Sequence, residues 1–130
     1  MNQRRQGHKW ERDVVKWIKQ IIGYTDKEIG TTRQHSRALD AKKVDIWVDD
    51  ADFPFYIQCK KTTTKAKSTR NVDVLSLEQM PKDKMRLLFT KVCETVDKRQ
   101  KTLGKYVTME LDEFRELFKL YCEHNDDATI

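Results

Sequence analysis

Four polar side chains of this 130-residue chain have the types and the spacing that metal-dependent phosphate chemistry requires. Asp45 stands between two apolar residues, Gln58 and Lys60 are separated by one residue in a second alternating segment, and Glu11 lies in an amphipathic stretch near the N-terminus. Carboxylate and amide oxygens suit a hard cation such as Mg²⁺. A lysine beside them suits the activation of water and the stabilisation of phosphate charge.

Two alternating segments should position three of these side chains. Residues 44–48 and 55–61 are predicted to be strands, and residues 49–54 between them carry turn-forming Asp and Pro. A symmetric hairpin about that loop places Asp45 opposite Gln58. Since alternate residues of a strand share a face, Lys60 lies on the same face as Gln58. We therefore predict that a carboxylate, an amide oxygen and an ammonium group converge on one patch.

The helix that should carry Glu11 spans residues 7–22. Apolar residues recur there at helical spacing, and Gly23 is a stop signal. Glu11 falls at the edge of the apolar face, where a carboxylate is costly unless it is paired or bound to a metal. Trp10 and Trp17 are predicted to lie in the core rather than to stack on bases.

These residues resemble the active site of the PD-(D/E)XK nuclease superfamily, with Gln58 in place of the usual Glu between Asp45 and Lys60. In the archaeal-type (Hjc-like) Holliday junction resolvases a glycine precedes a catalytic Glu-Arg pair in the first helix. That helix is similar to the run Gly7-His8-Lys9-Trp10-Glu11-Arg12. The resemblance covers roughly residues 4 to 110 of this chain.

The resemblance implies a metal-dependent endodeoxyribonuclease of DNA recombination and repair, which nicks four-way junctions symmetrically and leaves 5′-phosphate and 3′-hydroxyl ends. Glu11, Asp45 and the Gln58 oxygen, with the backbone carbonyl of Cys59, would hold one or two Mg²⁺ ions, for which Mn²⁺ can substitute. Lys60 would orient the attacking water. The resemblance also implies a homodimer on branched DNA, with no membrane partner and no small-molecule cofactor.

Basic residues surround the candidate site, whereas the segment after Met109 is acidic. The net charge is +5 and the pI is about 9.1, which favours an anionic partner such as a phosphate backbone. Ser36 with Arg37, or alternatively Arg33, matches a Ser/Arg element that precedes the Asp in the resolvases. The predicted DNA contacts are Arg4, Arg5, Lys9, Arg12, Arg33, Ser36, Arg37, Lys61, Lys65, Lys67 and Arg70.

The remaining elements complete an α/β fold in the order αβββαββα, with a mixed central β-sheet flanked by helices. We predict strands over 28–35, 85–92 and 106–109, a turn at Leu103-Gly104, a helix over 72–80, and a closing amphipathic helix that starts at Leu111. The resemblance implies a restriction-endonuclease-like (PD-(D/E)XK) core. Residues 1–130 form one domain, with a basic mobile loop at 62–70 and a frayed tail at 125–130.

Three cysteines without a Cys-x-x-Cys pair make a disulfide framework or a zinc site unexpected. No apolar run reaches the ~20 residues that span a bilayer, and no signal peptide is visible. We expect a cytoplasmic protein, or one in the host-cell cytoplasm if it is phage-encoded.

Two other functions remain open. The Gln-x-Lys variant resembles Mrr-like restriction or repair endonucleases that act on duplex DNA, although the chain lacks room for a target-recognition domain. A non-catalytic basic DNA-binding accessory protein with a decayed site is the other alternative. Metal-dependent cleavage separates the enzymes from the accessory protein, and preference for a junction separates the resolvase from the duplex nuclease.

Overall fold

A computed structural model describes the backbone of residues 3–63 and 69–128 and the side chains of residues 7–63 and 73–124. Helices and strands mix along the described residues, as predicted. In chain order they are α1 (Gln3–Ile22), β1 (Ile29–Thr31), α2 (Thr32–His35), α3 (Arg37–Ala41), β2 (Ile46–Val48), β3 (Phe55–Thr63), α4 (Thr69–Gln79), β4 (Met85–Val96), β5 (Arg99–Thr108) and α5 (Leu111–Ala128).

The described strands form two sheets. β1 and β2 pair antiparallel, with Ile29 opposite Val48. β3 pairs parallel with β4, and β4 pairs antiparallel with β5, which makes a mixed three-stranded sheet. The predicted hairpin between residues 44–48 and 55–61 is therefore wrong, because β2 takes β1 as its partner.

One residue links the two sheets. The N–H of Asp45 donates to the Ile57 carbonyl at 2.8 Å, and the Asp45 carbonyl accepts the N–H of Thr32 at 2.9 Å. Beyond this point β2 and β3 form no ladder in the described residues. The strands therefore part next to Asp45 and leave a fork between them.

The predicted strand over 28–35 ends early. β1 stops at Thr31, and residues 32–35 form the helical turn α2. The buried hydroxyl of Thr32 donates to the Val44 carbonyl at 2.6 Å, which ties this turn to the segment before β2. Ser36 then caps α3 by accepting the N–H of Leu39 at 3.3 Å. These local hydrogen bonds outweigh the strand preference of the threonines.

The hairpin between β4 and β5 turns at Asp97 and Lys98, whose φ angles are 50° and 63°. Two left-handed residues are what a two-residue hairpin turn with the right twist requires. The predicted turn at Leu103-Gly104 is wrong. Val92 lies opposite Gly104 while the next residue, Cys93, lies opposite Thr102, so Leu103 is the extra residue of a β-bulge inside β5. A glycine inside a strand often marks such a bulge.

Helix α1 packs its predicted apolar face on the three-stranded sheet. Trp10, Val14 and Ile18 are buried against Ile57 and Phe89. The helix ends at Ile22, and Gly23 follows it with a φ of +89°. The prediction that Trp17 lies in the core is wrong, since 52% of it is exposed. Its ring packs on Phe89 in a T-shaped arrangement, with centroids 5.8 Å apart, and both rings line an apolar groove.

The opposite face of the sheet is covered by α4. Leu77 and Met80 pack with Val44 and Leu88, and Tyr56 lies against the same cluster. β3 continues to Thr63 and α4 begins at Thr69. The predicted loop over 62–70 is therefore shorter than expected, and its residues 64–68 lie outside the described residues.

Helix α5 forms as predicted but does not close over the body. It is anchored near its start, where Glu113 accepts a hydrogen bond from the buried Arg86 guanidinium at 3.0 Å. Further along, Phe118 and Tyr121 are 58% and 69% exposed. Side chains 125–130, predicted to be a frayed tail, lie outside the described residues. No described helix is both long enough and apolar enough to cross a membrane.

Candidate active site

Glu11 sits at the edge of the buried face of α1, with 13% of its side chain exposed. Its carboxylate is paired with Arg33 from α2. The Nη2 and Nε atoms of Arg33 lie 2.7 and 3.2 Å from the same oxygen, Oε2 of Glu11. Among the described residues, neither Arg33 contact reaches the second carboxylate oxygen, Oε1.

Asp45 stands at the fork between the two sheets. Its Oδ2 atom accepts the backbone N–H of Cys59 at 2.8 Å, so its side chain supplies the bond that a neighbouring strand would normally make. Burial raises the pKa of Asp45 to about 7. The hydrogen bond from Cys59 opposes this rise, the negative charges of Glu11 and Asp40 add to it, and Arg33 lowers it.

The backbone of Cys59 faces the same fork. In a strand the N–H and the C=O of one residue point to the same side. Because the Cys59 N–H reaches Asp45, its carbonyl also points toward Asp45. Burial, followed by the charges of Asp45 and Glu11, raises the pKa of the Cys59 thiol well above its usual value. The thiol is therefore neutral and a poor nucleophile.

Gln58 and Lys60 flank Cys59 on β3, and alternation directs their side chains to the face opposite the Cys59 thiol. In the described part of the chain the Oε1 atom of Gln58 is buried and accepts no hydrogen bond. The Lys60 ammonium forms no ion pair with another described residue. The structure thus brings Glu11, Asp45 and Cys59 together, while no described contact joins Gln58 or Lys60 to Asp45.

The predicted DNA-binding residues have varied surroundings. Lys9, Arg12 and Arg37 are exposed, whereas Arg33 is paired with Glu11. The Ser36 hydroxyl is used as a helix cap, and Lys61 hydrogen-bonds the Gln100 side chain. The side chains of Arg4, Arg5, Lys65, Lys67 and Arg70 lie outside the described residues.

Asp40 is a site neighbour that the sequence analysis missed. It lies on α3, its charge raises the pKa of Asp45, and its Oδ1 atom is 3.4 Å from the hydroxyl of Thr32. The only signal was its position five residues before Asp45. That spacing could not place Asp40 beside Asp45, because residues 37–41 were not predicted to form a helix.

The donor atoms at the fork suit a hard divalent cation in kind. Two carboxylates, Glu11 and Asp45, stand with the Cys59 carbonyl. Gln58, on the other face of β3, carries a buried amide oxygen without a hydrogen bond to any described residue. Oxygen donors of this mixture are typical of Mg²⁺ sites. The described residues contain no group of three His, Cys, Asp or Glu side chains gathered around one point, so such a site would use backbone, amide and water oxygens as well.

Comparison of the chain with protein-family models, with curated proteins and with solved structures gives no match. The resemblance to the PD-(D/E)XK nucleases therefore stays a prediction from the motif residues.

Proposed function

We propose that this protein is a Mg²⁺-dependent endodeoxyribonuclease of the PD-(D/E)XK type, and that it resolves four-way DNA junctions. The observation that carries the proposal is the pairing of Asp45 with the Cys59 N–H at the strand fork. A carboxylate with a raised pKa, a second carboxylate nearby and a backbone carbonyl on the same side form a compact oxygen-rich site.

The roles of the residues follow from their chemistry. Glu11, Asp45, the Cys59 carbonyl and the Gln58 oxygen would hold the Mg²⁺, with Mn²⁺ as a substitute. A bound divalent cation supplies charge neutralisation at the scissile phosphate and lowers the pKa of a water molecule. Asp45 must lose its proton to bind a cation, so metal binding and deprotonation are coupled. Lys60 would orient the attacking water and stabilise developing phosphate charge.

Selection by DNA shape fits the distribution of charge. The described basic residues near the site, Lys9, Arg12 and Arg37, are exposed and suited to phosphates, which fix position without reading sequence. Two alternatives must be separated by experiment. One is an Mrr-like nuclease that cleaves ordinary duplex, and the other is an accessory protein that binds DNA without cleaving it. We place the protein in the cytoplasm as part of the same proposal.

A homodimer fits the proposal because a four-way junction has two symmetric scissile strands. Helix α5 carries a stripe of apolar residues at helical spacing, Phe114, Leu117, Phe118 and Tyr121. Three of them, Phe114, Phe118 and Tyr121, are 44%, 58% and 69% exposed. In proteins, most of the stability of a helix comes from packing of its apolar face rather than from intrinsic propensity. We assign a second copy of this chain as the partner of that stripe.

The charges beside the stripe support a second copy rather than an unrelated partner. Glu116 and Glu123 share α5 with Arg115 and Lys119, so both signs are exposed on one helix. A two-fold axis would let the acidic residues of one copy face the basic residues of the other. The apolar groove lined by Trp17, Ile21, Phe114 and Leu117 continues this surface.

The experiment that tests the function is cleavage of a labelled synthetic four-way junction beside linear duplex built from the same arms, with Mg²⁺ and with EDTA. We expect paired, symmetric nicks in the junction alone and with Mg²⁺ alone. Equal cutting of both substrates would indicate a duplex nuclease, and binding without cutting would indicate the accessory protein. Either result would overturn the resolvase proposal.

A further inference from the structure

Three lysines stand side by side across the mixed sheet. Lys61 of β3 lies opposite Lys91 of β4, and Lys91 lies opposite Lys105 of β5. Residues in register on neighbouring strands share a face, and the strands are about 4.8 Å apart. Like charges placed directly opposite one another destabilise a sheet. Two such pairs in succession concentrate positive charge on this face of the sheet.

The row is held beside a fixed aromatic ring. The ammonium groups of Lys91 and Lys105 each lie 5.8 Å from the centroid of Trp10. Trp10 is buried, and its Nε1 donates to the Phe89 carbonyl at 3.1 Å. Cation–π attraction to one immobile ring keeps the two charges close together, which favours a prepared surface over two independently mobile lysines.

Two of the three lysines have no carboxylate beside them in the described part of the chain. Neither Lys91 nor Lys105 has an acidic side chain within ion-pair distance there. Lys61 hydrogen-bonds the side-chain oxygen of Gln100, which is a neutral group. Asp13 lines the cleft that also contains Lys105, without forming an ion pair with it. Lys91 and Lys105 therefore keep their positive charge on the surface of the sheet.

The row begins next to the candidate active site. Lys61 follows Cys59 by one strand period, so their side chains share a face. The Cys59 thiol lies within the fields of Asp45 and Glu11. At the other end, Trp10 directly precedes Glu11 on α1. A polyanion bound to the lysines would thus extend across the sheet from the carboxylates at the fork.

We propose that Lys61, Lys91 and Lys105 form a phosphate-binding row, which holds the sugar–phosphate backbone that flanks the cleaved bond. The assignment rests on the proposed nuclease function and adds to it the path of the bound strand. The ligand is a chain of phosphodiesters, held through charge and without contacts to base edges. The repulsion within the row is then relieved when DNA binds.

The test uses Lys91→Gln, Lys105→Gln and the double variant, with Lys82→Gln as the matched control. Lys82 precedes β4, and 74% of its side chain is exposed. Affinity for a four-way junction is measured in EDTA, so that nothing is cut, over a range of salt concentrations. Each single variant should reduce the slope of log affinity against log salt by about one, and the double variant by about two. Lys82→Gln should keep the wild-type slope.

Two further readouts separate a role in binding from a role in folding. Removing a like charge from the row should leave the protein at least as resistant to urea as the wild type, although DNA binding is weaker. Lys105→Arg keeps the charge and should keep the salt slope. Unchanged slopes in both glutamine variants, or loss of slope in Lys105→Arg, would overturn the phosphate row.

Failure of the row can be told apart from failure of the nuclease proposal. If the wild type cuts junctions and the glutamine variants keep the full salt slope, the nuclease proposal holds and the phosphate-binding row is wrong. A wild-type protein that binds no DNA at low salt would overturn both.

Discussion

The carboxylate of Asp45 takes the place of a missing strand at the edge of β3, where its Oδ2 atom accepts the N–H of Cys59 at 2.8 Å. The Asp45 backbone already binds Ile57 through its own N–H. One residue therefore contacts β3 through both main chain and side chain at the point where the two sheets separate. The carboxylate proposed to bind a cation is thus also part of the backbone hydrogen bonding.

Replacing Asp45 by Asn should abolish cleavage while junction binding is retained. Asparagine keeps an oxygen that can accept the Cys59 N–H, but it removes the negative charge required for a divalent cation. We expect the cleavage rate to fall by at least about 100-fold, measured under single-turnover conditions. Asp49→Asn, in the exposed segment after β2, is the matched control and should cut normally. Full activity of Asp45→Asn would remove Asp45 from the site.

The stability of the metal-free protein should depend on pH through Asp45. Its pKa is raised from 3.8 in the unfolded chain to about 7, chiefly by burial. The folded state therefore holds the proton more tightly, and this contribution is complete below pH 3.8 and lost as the pH rises through about 7. The free energy of unfolding should fall with a slope of at most about 1.4 kcal/mol per pH unit across that window.

Urea unfolding of the wild type and of Asp45→Asn in EDTA, from about pH 4 to about pH 8, checks this dependence. The advantage of the wild type over the variant should shrink as the pH rises, because asparagine does not titrate. A difference that stays constant with pH would show that Asp45 has an ordinary pKa.

Removing the charge of Arg33 should tighten metal binding. The Arg33 guanidinium partly neutralises the Glu11 carboxylate through two contacts to one oxygen, and its positive charge would repel a divalent cation bound to the same group. For Arg33→Gln we expect the Kd for Mn²⁺, measured by calorimetry without DNA, to fall about two- to fivefold, the range expected for a partly exposed ion pair. Lys27→Gln, on the turn between α1 and β1, removes one positive charge elsewhere and serves as the control. Weaker Mn²⁺ binding by Arg33→Gln would mean that Arg33 positions Glu11 for the metal.

A charged residue introduced into the apolar stripe of α5 should separate the two subunits of the proposed dimer. Phe118 is 58% exposed in one copy, and the proposed dimer buries it. Phe118→Glu should raise the dimer dissociation constant at least tenfold, on the order expected for an aromatic residue central to an interface. Light scattering over a concentration series measures the change. Val74→Glu on α4, where Val74 is 60% exposed, should leave the oligomeric state unchanged, and a monomeric wild type would contradict the dimer.

Elements with strong local patterns could be predicted from the sequence. α1 follows from its helical periodicity, and Gly23 ends it as expected. β3 and β4 follow from alternation and from a continuous apolar run. The edge position of Glu11 on α1 was also correct, because helical phase is a local property. These are the elements that carry most of the buried core.

Pairing between distant segments could not be predicted in the same way. β1 has only three residues, so its pattern could not reveal it as the partner of β2. Asp45 nevertheless lies next to β3, through a single backbone bond rather than the expected ladder. The ion pair between Glu11 and Arg33 depends on the turn α2, which hydrogen bonds of Thr32 stabilise against its strand preference. Such contacts depend on tertiary structure and leave no periodic signal.

The extra residue Leu103 changes which residues of β5 face α1, from even-numbered residues before it to odd-numbered residues after it. Lys105 and Val107 lie on the α1 face beyond the bulge, whereas before it the even-numbered Thr102 and Gln100 occupy that face. This shift by one residue puts Gln100 on the same face as Lys61, so that their side chains form a hydrogen bond across β4. Deleting Leu103 would keep the composition of the strand almost unchanged yet exchange inside for outside along the first part of β5. For this strand, residue count is as strict a constraint as residue identity.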